Sequence, residues 1–169
     1  MKKISYKNKK NHGYTLLELL FYISFFSMLS LVTINAMVIM TKSLREAAIQ
    51  AEFLQSGSVM ERISREIRQA YEIDATSTET DLKLKTKDSA GTDKTIEFKF
   101  VSPNIQLWEA GSNSGNLNPP NISVTGLNFT QISTTNGEAV KVVLSVRSNN
   151  DSAAREQYFY NTIGLRGSY

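Results

Sequence analysis

The chain predicts an α+β fold: a long N-terminal helix packed on a small antiparallel β-sheet. Three observations carry this. Residues 14–40 are almost wholly apolar or small, residues 41–73 are rich in helix formers with no Pro and a single Gly, and from residue 95 onward apolar side chains recur at every second position. Four segments follow: a basic leader over 1–13, an apolar helix over 14–40, an amphipathic helix continuing it over 41–73, and a β domain over 74–169.

The leader holds Lys2, Lys3, Lys7, Lys9 and Lys10 and no acidic residue. Of the 19 Lys and Arg, 14 remain beyond it against 16 Asp and Glu, so the net charge of +3 belongs to the leader and the body is slightly acidic. That placement gives no argument for a nucleic-acid partner. As a helix, residues 14–40 reach about 40 Å, enough to cross a hydrocarbon core of about 30 Å. The lysines before it stay cytoplasmic by the positive-inside rule, which exports the C-terminal bulk. The apolar run is too long for a cleaved secretory signal and lacks the small-residue cleavage pattern around Ala36, so an uncleaved anchor is the simplest alternative. Glu18 is the one charged residue in the run. A carboxylate inside a membrane helix costs at least about 2.5 kcal/mol on insertion scales and marks function by default.

In the second helical segment Ile49, Phe53, Met60, Ile63, Ile67 and Tyr71 form one stripe, while Lys42–Glu46, Glu61–Arg65 and Arg62–Glu66 are spaced to pair at i,i+4. The two segments read as one continuous helix of about 60 residues, roughly 90 Å long. The stretch 74–94 is polar, with a short alternating run at Leu82–Lys85. Strands are expected around Ile96, Phe98 and Phe100, around Ile105 and Leu107, along Val140, Val142, Leu144 and Val146, and along Phe159, Ile163 and Leu165. Between Ile122-Val124 and Leu127-Phe129 the alternation slips by one residue at Gly126, which predicts a bulge. Asp88–Gly91 reads as a hairpin loop, Gly111–Pro120 as a long loop and Asn136-Gly137 as a tight turn.

Catalytic chemistry has little to work with. There is no Cys, and the only His is His12 in the leader, which speaks against an enzyme. Asp74, Asp81, Asp88 and Asp93 share a polar stretch without calcium-loop spacing and read as a solvated hairpin. Trp108, Tyr158 and Tyr160 read as strand packing. Arg62, Arg65 and Arg68 alternate with Glu61 and Glu66 and read as a solvated helix face. Asn121, Asn128 and Asn150 sit in glycosylation-acceptor triplets, a weak pattern.

Lys10-Asn11-His12-Gly13 followed by Tyr14-Thr15-Leu16-Leu17-Glu18-Leu19-Leu20 resembles the class III leader of type IV pilins and type II secretion pseudopilins. The segments 61–70, 124–129 and 162–167 are similar to J-type minor pseudopilins and PilW-like minor pilins. The resemblance implies a pilin-like fold and a structural subunit; no cofactor is expected, and some pseudopilins bind calcium in loops, but the Asp spacing here predicts no metal site. It implies cleavage after Gly13 by a prepilin peptidase, N-methylation of Tyr14, and recognition and assembly through Gly13, Thr15 and Glu18. The implied partners are the peptidase, sibling subunits, an inner-membrane assembly platform and, before assembly, membrane lipid. The subunit would pass from a single-pass inner-membrane precursor into an extracytoplasmic filament or its tip complex. The family usually has Phe where this chain has Tyr14, and major pilins often have Pro where it has Asn35. Once cut, the new amine of Tyr14 on one helix can meet Glu18 of a staggered neighbour, neutralising both charges and setting register. The rival reading is an uncleaved, signal-anchored extracytoplasmic domain that binds DNA for uptake or recognises a substrate.

Overall fold

A computed structural model describes residues 15–135 and 137–166. The lysine-rich leader, Gly13, Tyr14, Asn136 of the expected turn and Gly167 lie outside the described residues. One helix, α1 (Leu16–Gln69), runs for 54 residues without a break. Its polar residues do not interrupt it because several satisfy themselves within it. The hydroxyls of Ser27, Thr33 and Thr41 donate to the carbonyls of Ile23, Leu29 and Met37 one turn back, at 2.8, 2.9 and 2.8 Å.

The helix ends at Gln69, short of the expected 73, and no Gly or Pro stops it. Tertiary pairing does. The Tyr71 N–H donates to the Lys85 carbonyl at 3.0 Å, and the next two residues become a short strand, β1 (Glu72–Ile73), paired with residues 84 and 85. The last helical carbonyls are taken up from outside the helix. Thr86 Oγ1 donates to the Gln69 oxygen at 3.4 Å, and the Arg166 N–H to the Arg68 oxygen at 3.4 Å.

Seven further strands follow: β2 (Asp81–Lys87), β3 (Asp93–Val101), β4 (Asn104–Glu109), β5 (Ser112–Asn116), β6 (Ile122–Thr134), β7 (Gly137–Ser148) and β8 (Glu156–Gly164). All adjacent pairs are antiparallel. They form two sheets, β1-β2-β3-β4-β5 and β6-β7-β8, where the sequence led to one small sheet. Alternation tells which side chains of a strand face inward, but not which strand lies beside which. Here β6 is bonded to segments flanking the strands of the first sheet, from the Val124 N–H to the Pro103 oxygen at 2.8 Å and from the Phe129 N–H to the Glu79 oxygen at 2.7 Å. The expected loop 111–120 also differs, since Ser112–Asn116 forms the fully exposed edge strand β5. Ala110 and Gly111 make its turn from β4, both with positive φ.

The chain divides into two compact units, Met1–Arg45 and Glu46–Tyr169. In the second, Ile49, Phe53, Val59, Met60, Ile63 and Ile67 of α1 share one core with the inward residues of both sheets. Ile63 and Ile67 are completely buried, as are Leu82, Leu84, Phe98, Val140, Val142 and Leu144. The expected stripe is thus the packed face, except that Tyr71 falls beyond the helix. The predicted slip at Gly126 is a register shift in the β6–β7 ladder between Val124 and Gly126. A Cβ at Gly126 would lie 2.8 Å from Ser145 Oγ, so glycine permits the close strand approach there.

One side chain joins the sheets from inside. Asn118, 6% exposed, accepts the N–H of Ile105 in β4 at 3.0 Å. Its amide donates to the carbonyl of Ile122 in β6 at 2.7 Å and to Asn104 Oδ1 at 3.1 Å. The connection between β5 and β6, which contains Pro119 and Pro120, is tied to both sheets by this residue.

Candidate functional site

The first turn of α1 is built by a side chain. Thr15 precedes the helix, and its Oγ1 accepts the Glu18 N–H at 3.2 Å, the N-cap bond that satisfies one orphan donor of the first turn. Thr15-x-x-Glu18 is the capping-box spacing, placing a carboxylate near the positive end of the helix dipole. That signal was legible in the sequence, yet Thr15 was read there only through the family resemblance. Tyr22 was missed altogether. One turn on, its hydroxyl donates to Glu18 Oε1 at 3.3 Å. Thr15, Glu18 and Tyr22 therefore form a small polar cluster at the start of an apolar helix, with Glu18 half-buried. Gly13 and Tyr14 lie outside the described residues, so the scissile bond is not placed against this cluster.

Beyond the cluster the apolar side chains of the first unit are turned outward. Phe21, Phe25, Phe26, Leu29, Leu31 and Met37 are all more than half exposed. Soluble monomers rarely expose a contiguous apolar surface of this extent, and where one occurs it marks a membrane or partner contact. By length and composition α1 is apolar enough, over its N-terminal part, to cross a membrane.

In the second unit the polar groups mostly hold the fold. Asp74 receives the N–H and hydroxyl of Thr76 at 2.9 and 2.7 Å. Asp88 receives the N–H groups of Ala90 and Thr92, both at 2.9 Å, closing the expected hairpin loop. Asp93 receives the Tyr71 hydroxyl at 3.3 Å, and Asp81 faces Lys99 across the β2–β3 ladder at 3.8 Å. Burial first, and the nearby Glu97 carboxylate second, push the Asp81 carboxyl up. The four acids serve separate turns and pairs, and among the described residues no three Asp, Glu or His side chains group as a metal site.

Glu46, expected to pair with Lys42, is instead gripped at both oxygens by Arg155, at 2.8 and 2.8 Å. Arg155 Nε reaches Asp151 Oδ2 at 2.8 Å. The hydrogen bond from Arg155 holds the Asp151 carboxyl at about 2, with the Ala153 and Arg155 N–H groups helping. Glu52 accepts the Ser148 hydroxyl in a short bond and the Asn150 amide at 2.7 Å. These contacts pin the β7–β8 connection to the helix. The expected pairs Glu61–Arg65 and Arg62–Glu66 form at 3.5 and 3.0 Å. Trp108 lies under the Lys99 ammonium at 4.9 Å, while Tyr158 and Tyr160 stack on each other and face solvent.

An open groove of about 1220 Å³ lies at the C-terminal end of α1, lined by Arg65, Arg68, Lys87 and Arg166 together with Glu61, Asp88 and Asp93. Charges of both signs line it. The sequence could not have assembled it, because its residues come from the helix, the β2–β3 hairpin and the chain end.

No protein-family model matches the chain, and neither does any curated protein or solved structure.

Proposed function

We propose that the chain is a structural subunit, a minor pilin or minor pseudopilin, of a type IV pilus or type II secretion-like filament. The reading has the precursor inserted through residues 14–40, cut between Gly13 and Tyr14 by a prepilin peptidase, methylated at Tyr14 and assembled through Glu18. The observation that carries it is the outward-facing apolar helix with a single carboxylate one turn from its start. Such a surface needs lipid or other helices around it, and both are supplied in turn when the helix leaves the bilayer for a bundle of sibling helices. The carboxylate makes the exchange selective. Tyr22 offers Glu18 a neutral hydrogen bond, but only a cation cancels its charge, and the apolar run contains none. The freed amine of Tyr14 on a neighbouring subunit fits that need.

N-terminal sequencing of the exported protein tests the processing step, with a first residue of Tyr14 expected and Met1 refuting it. Glu18→Ala is expected to insert and to be cut but to stay out of filaments; normal incorporation refutes the assembly role.

The groove lined by Arg65, Arg68, Lys87 and Arg166 favours the second reading, an uncleaved anchored domain that binds DNA or a secreted substrate. Glu61, Asp88 and Asp93 in the same lining oppose a polyanion. A DNA shift assay at low salt separates the two readings.

A further inference from the structure

Within the apolar half of α1, the hydroxyls of Ser27, Thr33 and Thr41 are satisfied by carbonyls of their own helix. Asn35 is different. Its carboxamide carries two donors and an acceptor with two lone pairs, the side chain is exposed, and it makes no hydrogen bond among the described residues. A further turn of apolar side chains, Val38, Ile39 and Met40, separates it from the first cation, Lys42. An unsatisfied amide in hydrocarbon is costly, and a contact from another helix would relieve that cost.

The position also selects the side of the helix. Ser24, Met28, Leu31, Asn35 and Val38 recur at gaps of 4, 3, 4 and 3, the spacing of a seam between two helices. Asn35 is about 100° round the helix from Glu18 at about 100° per residue, so a contact on this seam leaves the Thr15–Glu18–Tyr22 cluster open. The chemistry further selects the partner. Copies inserted with the same lysine-rich end in the cytoplasm run parallel, and their Asn35 residues sit at the same depth. A carboxamide is its own complement, because each Nδ2 can donate to the other's Oδ1. The Ser24 hydroxyl on the same seam can form one bond with its copy, whereas the carboxamide pair forms two.

We propose that Asn35 is the contact through which two copies of this chain pair side by side in the membrane, carboxamide to carboxamide. The proposal rests on the membrane insertion of the preceding section but not on cleavage or filament assembly. A parallel pair in register is a different arrangement from the staggered Tyr14–Glu18 contact, and it describes the subunit while still in the bilayer.

The chain has no Cys, so a single introduced thiol reports on the seam. The full-length protein is reconstituted in phosphatidylethanolamine–phosphatidylglycerol vesicles as Leu31→Cys or Leu29→Cys, which lie at similar depth on nearly opposite sides, and is oxidised. Leu31→Cys is expected to give disulfide dimers and Leu29→Cys few. Adding Asn35→Leu to Leu31→Cys is expected to lower dimer formation about three- to tenfold. Asn35→Gln, which keeps the carboxamide, should retain more of it, and Thr33→Val should change nothing. Equal yields from the two thiol positions, or a yield indifferent to Asn35→Leu, overturn the proposal. Carbonate extraction of the same vesicles separates the two levels. A chain that washes off overturns the membrane reading along with the pairing, whereas a retained chain whose crosslinking ignores Asn35 overturns the pairing alone.

Discussion

Asn118→Ala removes a buried side chain that bonds β4 and β6 at once. The substitution leaves the Ile105 N–H, bonded at 3.0 Å, and the Ile122 carbonyl, bonded at 2.7 Å, without their partner. Ile105 is completely buried and Ile122 nearly so. A buried backbone group stripped of its hydrogen bond costs about 1–3 kcal/mol, so the two together cost about 2–6 kcal/mol. Water entering the space left by the amide relieves part of this, and we expect about 2–4 kcal/mol. With a urea slope of about 2 kcal/mol per molar, the unfolding midpoint falls by about 1–2 M. The assay is intrinsic fluorescence of the full chain in detergent, since Trp108 is the only tryptophan and lies on β4, the strand that loses a bond. Asn116→Ala on the exposed edge strand β5 is the control and should move the midpoint little. If Asn118→Ala shifts the midpoint no more than this control, the two sheets are not held together as described.

Two further outcomes follow from side-chain pairs. Asp151 is held at about 2 in the folded chain against an ordinary 3.8, so its pairing contributes stability above about pH 4 and loses it as pH falls toward about 2. Arg155→Ala should flatten that acid limb of a Trp108-monitored pH titration, and an unchanged limb would count against the pairing. Tyr22→Phe deletes the hydroxyl that reaches Glu18 at 3.3 Å and should lower filament incorporation about two- to tenfold, less than Glu18→Ala does; equal losses from the two would show that the hydroxyl is not merely supporting the carboxylate.

Whatever depends on neighbours in the chain is legible in the sequence. The stripe Ile49–Phe53–Met60–Ile63–Ile67 faces the core because a helix repeats every 3.6 residues, whatever it packs against. The alternation Val140–Val142–Leu144–Val146 marks the buried face of β7 for the analogous reason, with a period of two. The slip around Gly126 announced a bulge because one extra residue must shift that phase. The capping spacing Thr15-x-x-Glu18 was equally local and could have been read.

Other features were settled only when distant segments met. The end of α1 at Gln69 carries no local stop, since Tyr71 leaves the helix to bond Lys85. Glu46 had a cation four residues away in sequence, and the fold gave it Arg155 from the β7–β8 connection instead. The division into two sheets, joined through Asn118, likewise depends on which strand edges come together. Periodicity determines the faces of helices and strands because each residue's direction follows from its immediate backbone. It leaves edges, termini and ion-pair partners open, because those are chosen by competition among groups that the chain brings together only on folding.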